Sequence, residues 1–286
     1  MSASFRIVSY ETPSDFLDRC RPWLKREEAR YNLVLSLAEA RAAAAEWEDG
    51  ACFIAVEEDG DVIGCAMRTP PHKLLVTDMP VPAARLLTES VLDRYDEIPA
   101  VLGPPSIGQA VAEAWVLRRG GGWRVGMGQG VYRLDRVTDP KPMPKGSMRV
   151  AVQQDFELAI AWGEGFARDT GIAFPTGEDT VRRWIDTGRL HVWEVAGEVV
   201  SIAVAQGFTG DGVRIGYVYT PPEARRRGYA SALVARLSRK ELEAGRDFCM
   251  LYTDLGNPTS NAIYQRLGYR LIDEVVDILI DGEDRA

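Results

Sequence analysis

The chain has 286 residues, 46% hydrophobic and 27% charged, with a formal net charge of -8 and a pI near 5.0. That balance is the one of a globular protein, and at ~150 residues per domain the length suggests about two domains. The acidic total excludes the broad basic surface that nucleic acid or an anionic membrane requires, so neither partner is expected.

No apolar run approaches the ~20 residues of a membrane-spanning helix. The opening MSASFRIVSYETPSDF lacks a charged-then-apolar signal pattern, so cytoplasmic localisation is expected. Cys20, Cys52, Cys65 and Cys249 form no CxxC pair and read as small buried residues rather than disulfides. With only His72 and His191 as histidines, zinc has few candidate ligands and no metal is expected.

In chain order, ACFIAVEEDGDVIGCAMR (51–68) reads as a strand hairpin. IPAVLGPPSIGQAVAEAWVLRRGGGWRV (98–125) reads as strand, proline turn, helix and glycine exit. GGGWRVGMGQG (120–130) misses the full GxGxxG spacing, because Val131 stands where the last glycine should be, and reads as a loop and strand entry. VTDPKPMPKGS (137–147) holds three prolines and a glycine and reads as a linker. A strand over 148–152, a helix over 156–167 and a short helix over 178–187 follow. LHVWEVAGEVVSIAVAQG (190–207) is a second hairpin, turning at Ala196-Gly197. VRIGYVYT (213–220) is a third strand, with a helix over 229–244 behind it. FCMLYT, NPTSNAIYQRLGY and VVDILI give a buried strand, a turn with a short helix, and a last strand closing the second half. The two hairpins and the two strand–turn–helix–glycine stretches recur in the same order, which suggests a duplicated domain.

The stretch VYTPPEARRRGYA (218–230) concentrates positive charge in an acidic chain. A strand ends, two prolines turn the chain, and a helix begins near Gly228. The first N–H groups of a helix lack internal partners, and the macrodipole is positive there. Three arginines oppose that dipole unless an anion is bound. Gly228 and the small Ala230 let the backbone approach a bulky ligand. Arg225, Arg226 and Arg227 supply donors suited to phosphate oxygens. Together these features describe a pyrophosphate cradle. There is no GxxxxGK[ST] and no GxSxG.

Arg225-Arg226-Arg227-Gly228-Tyr229-Ala230 resembles the R/Q-x-x-G-x-G/A motif of the GNAT superfamily of N-acetyltransferases. The preceding VYTPPE and the downstream LYTDLGNPTSNAIYQRLGY fit the same family, over roughly residue 148 to the C-terminus. The resemblance implies an α/β fold of α+β type: tandem GNAT folds, each a mixed, mostly antiparallel sheet flanked by helices, with a splayed strand pair for coenzyme A. It implies a degenerate GNAT-like domain at 1–137, a linker at 138–147 and a catalytic domain at 148–286. The first half has no cradle, since VTDMPVPAARLLTE (76–89) carries no glycine and a single arginine, Arg85.

By the resemblance, Val218 and Thr220 contact the pantetheine arm of acetyl-CoA through their backbones, with Tyr219 between them. The amides of Arg226, Arg227, Gly228, Tyr229, Ala230 and Ser231 wrap the pyrophosphate, and Arg225 fills the Q/R position. Asn257 matches the asparagine lining the coenzyme arm. Ser260 and Asn261 lie one turn before Tyr264 and can reach the same ligand, although Thr259 or Ser260 would equally serve as a helix cap. Tyr264 matches the family's general acid, and also has core spacing with Ile263 and Leu267. A phenol of pKa about 10 keeps its proton at neutral pH and can donate it to a leaving thiolate. Glu164 and Glu194 are carboxylates on the acceptor side, and a water chain could replace either as base. The implied reaction is direct acetyl transfer from acetyl-CoA, the co-substrate, to an unidentified primary amine on a small molecule or peptide. The alternative is a non-catalytic acyl-CoA-binding or sensing module. The oligomeric state is left as monomer or homodimer.

Overall fold

A computed structural model describes residues 4–44, 50–172 and 177–282. The first run of elements is β1 (Phe5–Tyr10), α1 (Pro13–Leu24), α2 (Glu28–Ala42), β2 (Cys52–Glu58), β3 (Asp61–Arg68), β4 (Leu74–Val76), α3 (Val81–Leu92), β5 (Ala100–Gly103), α4 (Pro105–Arg119) and β6 (Gly122–Leu134). The second is β7 (Ser147–Val150), α5 (Phe156–Thr170), α6 (Glu178–Asp186), β8 (Leu190–Val195), β9 (Glu198–Gln206), β10 (Gly212–Tyr219), α7 (Tyr229–Glu243), β11 (Phe248–Asp254), α8 (Pro258–Arg266) and β12 (Arg270–Asp281). Strand and helix types follow the same order twice. The pairing repeats as well. β1–β2, β2–β3 and β3–β4 are antiparallel and β4–β5 parallel; β7–β8, β8–β9 and β9–β10 are antiparallel and β10–β11 parallel. The duplication expected from element order is present, and each half is a mixed, mostly antiparallel sheet with flanking helices.

The residues group into two compact units: Met1–Val131 with Asp254–Gly256 and Ile272–Ala286, and Tyr132–Thr253 with Asn257–Leu271. The last strand does not close the second half as its position suggests. β12 pairs antiparallel with β5, Val276 opposite Gly103 and Ile278 opposite Val101. Strand alternation sends Val276 and Ile278 into the first unit's core. Between them Asp277 meets Lys73 at 2.6 Å, and Asp273 meets Arg30 of α2 at 2.6 Å. The glycine-rich stretch from Gly122 to Gly130 lies within β6, not in a loop. Backbone pairing beside β12 there outweighs the poor strand propensity of its glycines.

In the second unit the sheet is covered on both faces. Along β9, Ala203 and Ala205 point toward α7 with Leu233, Val234 and Leu237. Ile202 and Val204 point the other way, toward Val181, Trp184 and Ile185 of α6. Strand period two thus splits one strand between two cores. One buried polar group sits in this packing. His191 of β8 is 1% exposed. Its Nε2 lies 2.8 Å from Lys240 Nζ of α7, and its Nδ1 lies 3.1 Å from the Arg189 carbonyl. The ammonium can only donate, so Nε2 accepts and Nδ1–H donates. Burial, then the Lys240 charge, lowers the imidazole from 6.5 to about 4.

The folded protein therefore favours neutral His191. Its contribution to stability is intact above pH 6.5 and is lost as the pH falls toward 4, because the unfolded chain takes up the proton first. At ~1.4 kcal/mol per unit the loss is about 3 kcal/mol. Denaturant titrations of wild type and His191→Gln between pH 7 and 4 should show the wild type losing stability more steeply. Parallel pH profiles would contradict the assignment.

Candidate functional site

The second unit's parallel pair does not stay together. β10 and β11 are in register at Gly212–Phe248, Val213–Cys249 and Arg214–Met250. β10 then runs on to Tyr219 and β11 to Asp254 with no further ladder pair between them among the described residues. The divergence coincides with a bulge on the other edge of β10. Gly216 faces Val204 and Tyr219 faces Ile202, so Tyr217 and Val218 stand against Ala203 alone. Tyr217 has φ +49°, which a bulky residue rarely adopts. Its ring is held between Phe166 of α5, 5.4 Å away, and Trp184 of α6, 5.2 Å away. Burial raises its phenol pKa.

The three residues expected along the coenzyme arm separate at this bulge. Val218 is half-buried and packs on the α7 side. Tyr219 turns to the other face, its ring 6.1 Å from Trp162 of α5, and its carbonyl accepts from Ser201 Oγ at 2.9 Å. Thr220 shares a 2.9 Å hydroxyl contact with Ser201, and its carbonyl accepts from Arg225 Nε at 2.9 Å. Val218, inside the bulge, is thus the residue of the three whose backbone lies in the gap of the ladder.

The arginines divide their work. Arg225 is tied to Thr220, forms an ion pair with Asp169 at the end of α5, and lies 5.6 Å from the Tyr219 ring centre. It braces the loop. Arg226 and Arg227 are exposed, and Arg226 has φ +63°. Gly228, at φ +81°, then turns the chain into α7, and no side chain caps the helix there. The first turn of α7, with Tyr229, Ala230 and Ser231, contains no acidic residue. Its N–H groups face the loop with the helix dipole behind them, an arrangement suited to an anion. A cavity of about 590 Å³ opens in front, lined by Arg226, Arg227, Gly228 and Ser231. Arg266, Ile263 and Leu267 complete the α8 side.

At α8 the cap is Asn257, not Thr259 or Ser260. Asn257 Oδ1 accepts from the Ser260 amide at 3.1 Å, with Pro258 opening the helix. Asn261 is half-buried one turn on. Tyr264 is half-buried on the α7-side core, edge-on to Tyr269 at 6.0 Å. Burial pushes its phenol up to about 12. Of the two carboxylates considered as bases, Glu164 is exposed on α5. Glu194 is bound 2.6 Å from Arg149 Nε, whose other nitrogens hold Asp155. Among the described residues no group of three His, Cys, Asp or Glu side chains could hold a metal, and no helix is long and apolar enough to cross a membrane. Sequence reasoning missed Asp169, which has no motif around it, and Tyr217, whose bulge is a property of pairing.

Residues 195–277 match the family described as FR47-like protein. Acetyltransferase SG1711 of Sodalis glossinidius (strain morsitans) is 34% identical over 85 residues, 30% of this chain and 59% of that protein, so the chain spans less than two thirds of the relative. A GCN5-related N-acetyltransferase from Sphaerobacter thermophilus superposes with TM-score 0.62 at 18% identity, over 96% of this chain and 94% of the other. A tandem GNAT protein from the clavulanic acid biosynthesis pathway superposes with TM-score 0.54 at 12% identity, over 98% and 100%. At such identities the two structures show a shared fold.

The bracing role of Arg225 is open to test. Arg225→Gln should raise amide hydrogen exchange over 220–228 and cost about 1 kcal/mol, the pair being partly exposed. Arg226→Gln should leave exchange there unchanged. The reverse pattern would contradict the division.

Proposed function

We propose that this chain, a tandem protein of the GNAT superfamily, transfers an acetyl group from acetyl-CoA to a primary amine of a small molecule or peptide. The observation that carries the reading is the parting of β10 from β11 in front of an uncapped α7. The residues fit the donor. Among the described residues Arg226, Arg227 and Arg266 have no ion-pair partner, and they surround one cavity large enough for a nucleotide. Gly228, Tyr229, Ala230 and Ser231 would offer amides to the pyrophosphate, and Val218 a backbone contact to the arm. Acetyl-CoA, as co-substrate, supplies an activated thioester.

Tyr264 is the proposed donor to the departing sulfur. A phenol at about 12 stays protonated throughout the neutral range. It is a weaker acid than a free thiol at ~8.5, so its main contribution is a hydrogen bond to the developing thiolate. Asn257, Ser260 and Asn261 belong to the same helix start and are proposed to line the arm; Asn257 keeps its amide NH₂ for that purpose while its oxygen caps α8. The amine must be neutral to attack, and its proton leaves to solvent or a base. Glu194 is a poor base while Arg149 holds it.

The first half is proposed to be a silent copy, with the role division 1–137, 138–147 and 148–286. Its corresponding helix, α3, begins after Pro80 with Val81-Pro82. The two prolines lack amide hydrogens where α7 presents them. Its parallel pair is also shorter, with β4 ending at Val76. A Cβ on Gly103 of β5 would collide with the backbone of Val76 of β4, so the strands remain in contact to their ends. Direct transfer in a ternary complex is proposed because the reading needs no protein nucleophile; Cys249 is buried in β11 and its thiol is pushed up to about 12. A cytoplasmic place of action is part of the proposal.

With acetyl-CoA and a panel of amines, the wild type should release coenzyme A above the amine-free rate. Tyr264→Phe should lower turnover about 100-fold with nearly unchanged acetyl-CoA affinity. Binding without turnover in the wild type would favour a sensing module. Absence of binding would sink the donor reading itself.

A further inference from the structure

The face of the second unit away from α7 carries polar groups that the donor does not use. Val213 and Ile215 of β10 belong to the α7-side core, and so do Cys249 and Leu251 of β11. Strand alternation therefore turns Arg214, Gly216, Met250 and Tyr252 to the opposite face. Arg214 and Met250 are the last ladder pair of β10 and β11. Arg214 thus stands at the root of the gap, on the side that α7 leaves to a second substrate.

Its side chain is held in one place. The guanidinium lies flat on Gly207, its carbon 2.9 Å and its two terminal nitrogens 3.0 Å from where a Cβ on that glycine would be. Gln206 of β9, in register with Arg214, lays its amide over Gly216, with Nε2 2.7 Å from the corresponding Cβ position. Two glycines, one just past β9 and one in β10, therefore seat two planar polar groups against the sheet. The phenols of Tyr252 and Tyr217 act on the guanidinium electrostatically. Gln206, Arg214, Tyr217 and Tyr252 are all half-buried, enclosed enough to lose water and open enough to be reached. Burial lowers the Arg214 pKa, and the two phenols offset this only in part. An anion brought to such a guanidinium is attracted more strongly than at an exposed one.

The cluster presents the donor fork of Arg214, the amide of Gln206 and the hydroxyls of Tyr217 and Tyr252. A carboxylate matches that set, because it is planar, accepts two parallel N–H bonds and has lone pairs left for O–H donors. Val218, the residue in the gap, lies four positions further along β10. At ~3.3 Å per residue, less what the bulge takes up, that is on the order of 10 Å. A molecule held at Arg214 by a carboxylate reaches the gap with an amine several bonds away.

We infer that Arg214, with Gln206, Tyr217 and Tyr252 around it, anchors the acceptor, and that the acceptor is an amine separated by several bonds from a free carboxylate, as in a short peptide or an ω-amino acid. The inference rests on the donor reading above and names the class of its second substrate.

Initial rates of coenzyme A release by the full chain at saturating acetyl-CoA test it, with ω-amino acids, lysine and di- and tripeptides as probes, each beside its carboxamide. For the wild type, kcat/KM should favour the free carboxylate over the amide at least about tenfold. Arg214→Gln should draw that ratio toward one, chiefly by raising KM for the carboxylate, while calorimetry shows acetyl-CoA bound as by the wild type. Arg214→Lys should restore part of the preference, which loss of packing alone would not do. If Arg214→Gln fails to fold, Tyr252→Phe keeps the ring and should lower the ratio by a smaller factor, and the wild-type ratio decides by itself. Equal use of acid and amide, or turnover of no carboxylate-bearing probe by a protein that binds acetyl-CoA, overturns the inference and leaves the donor reading standing. Failure to bind acetyl-CoA overturns both.

Discussion

A strand that parts from its neighbour leaves backbone groups without ladder partners, and a helix that starts without a cap leaves several more. In the second unit these two deficits meet at one place. β10 leaves β11 after Arg214, and ten residues beyond the bulge α7 begins at Gly228 with no side-chain oxygen over its first turn. Either deficit alone would be a local defect. Both fall within the stretch from Ile215 to Ser231, and the rest of the unit holds that stretch in place. The ring of Tyr217 between α5 and α6 fixes the bulge, and Arg225 with Asp169 fixes the loop that follows.

The first unit repeats the topology with a different helix start: α3 is also without a side-chain cap, but prolines stand at Pro80 and Pro82. Its β4–β5 pair repeats the order and direction of β10–β11, but β4 ends at Val76 where β10 runs on to Tyr219. The two copies share strands in chain terms as well. β12, at the end of the second copy, is held by β5, Arg30 and Lys73 of the first unit, while Tyr132 and Leu134 at the end of β6 enter the second unit's core.

Much of this was legible in the sequence because the signals were local. The hairpin turn at Ala196-Gly197, the helix behind Gly228 and the order of elements in each half all follow from residue type and spacing. The arginine run was legible as a charged loop before a helix, but not as a division of labour. Which arginine braces and which faces the cavity depends on Asp169, 56 residues away from Arg225. The cap at α8 was misplaced by one turn element because Asn257 was matched to a ligand role before its geometry as a cap was weighed. The place of β12 and the strand in 122–130 were hidden because pairing across the chain, not propensity, decides them. The segment 138–145 carried every composition mark of a free linker, and only tertiary contacts show it fastened.

The central claim is that the second unit binds a coenzyme's phosphates at the start of α7 and that the first unit's equivalent helix does not. Backbone amide shifts followed by NMR while coenzyme A is added would test it most directly. The account predicts that the amides of Tyr229, Ala230, Ser231 and Val218 move in a saturable way while those of Ala83 and Ala84 in α3 stay fixed. Fixed resonances at 229–231, or equal movement at the start of α3, would contradict it.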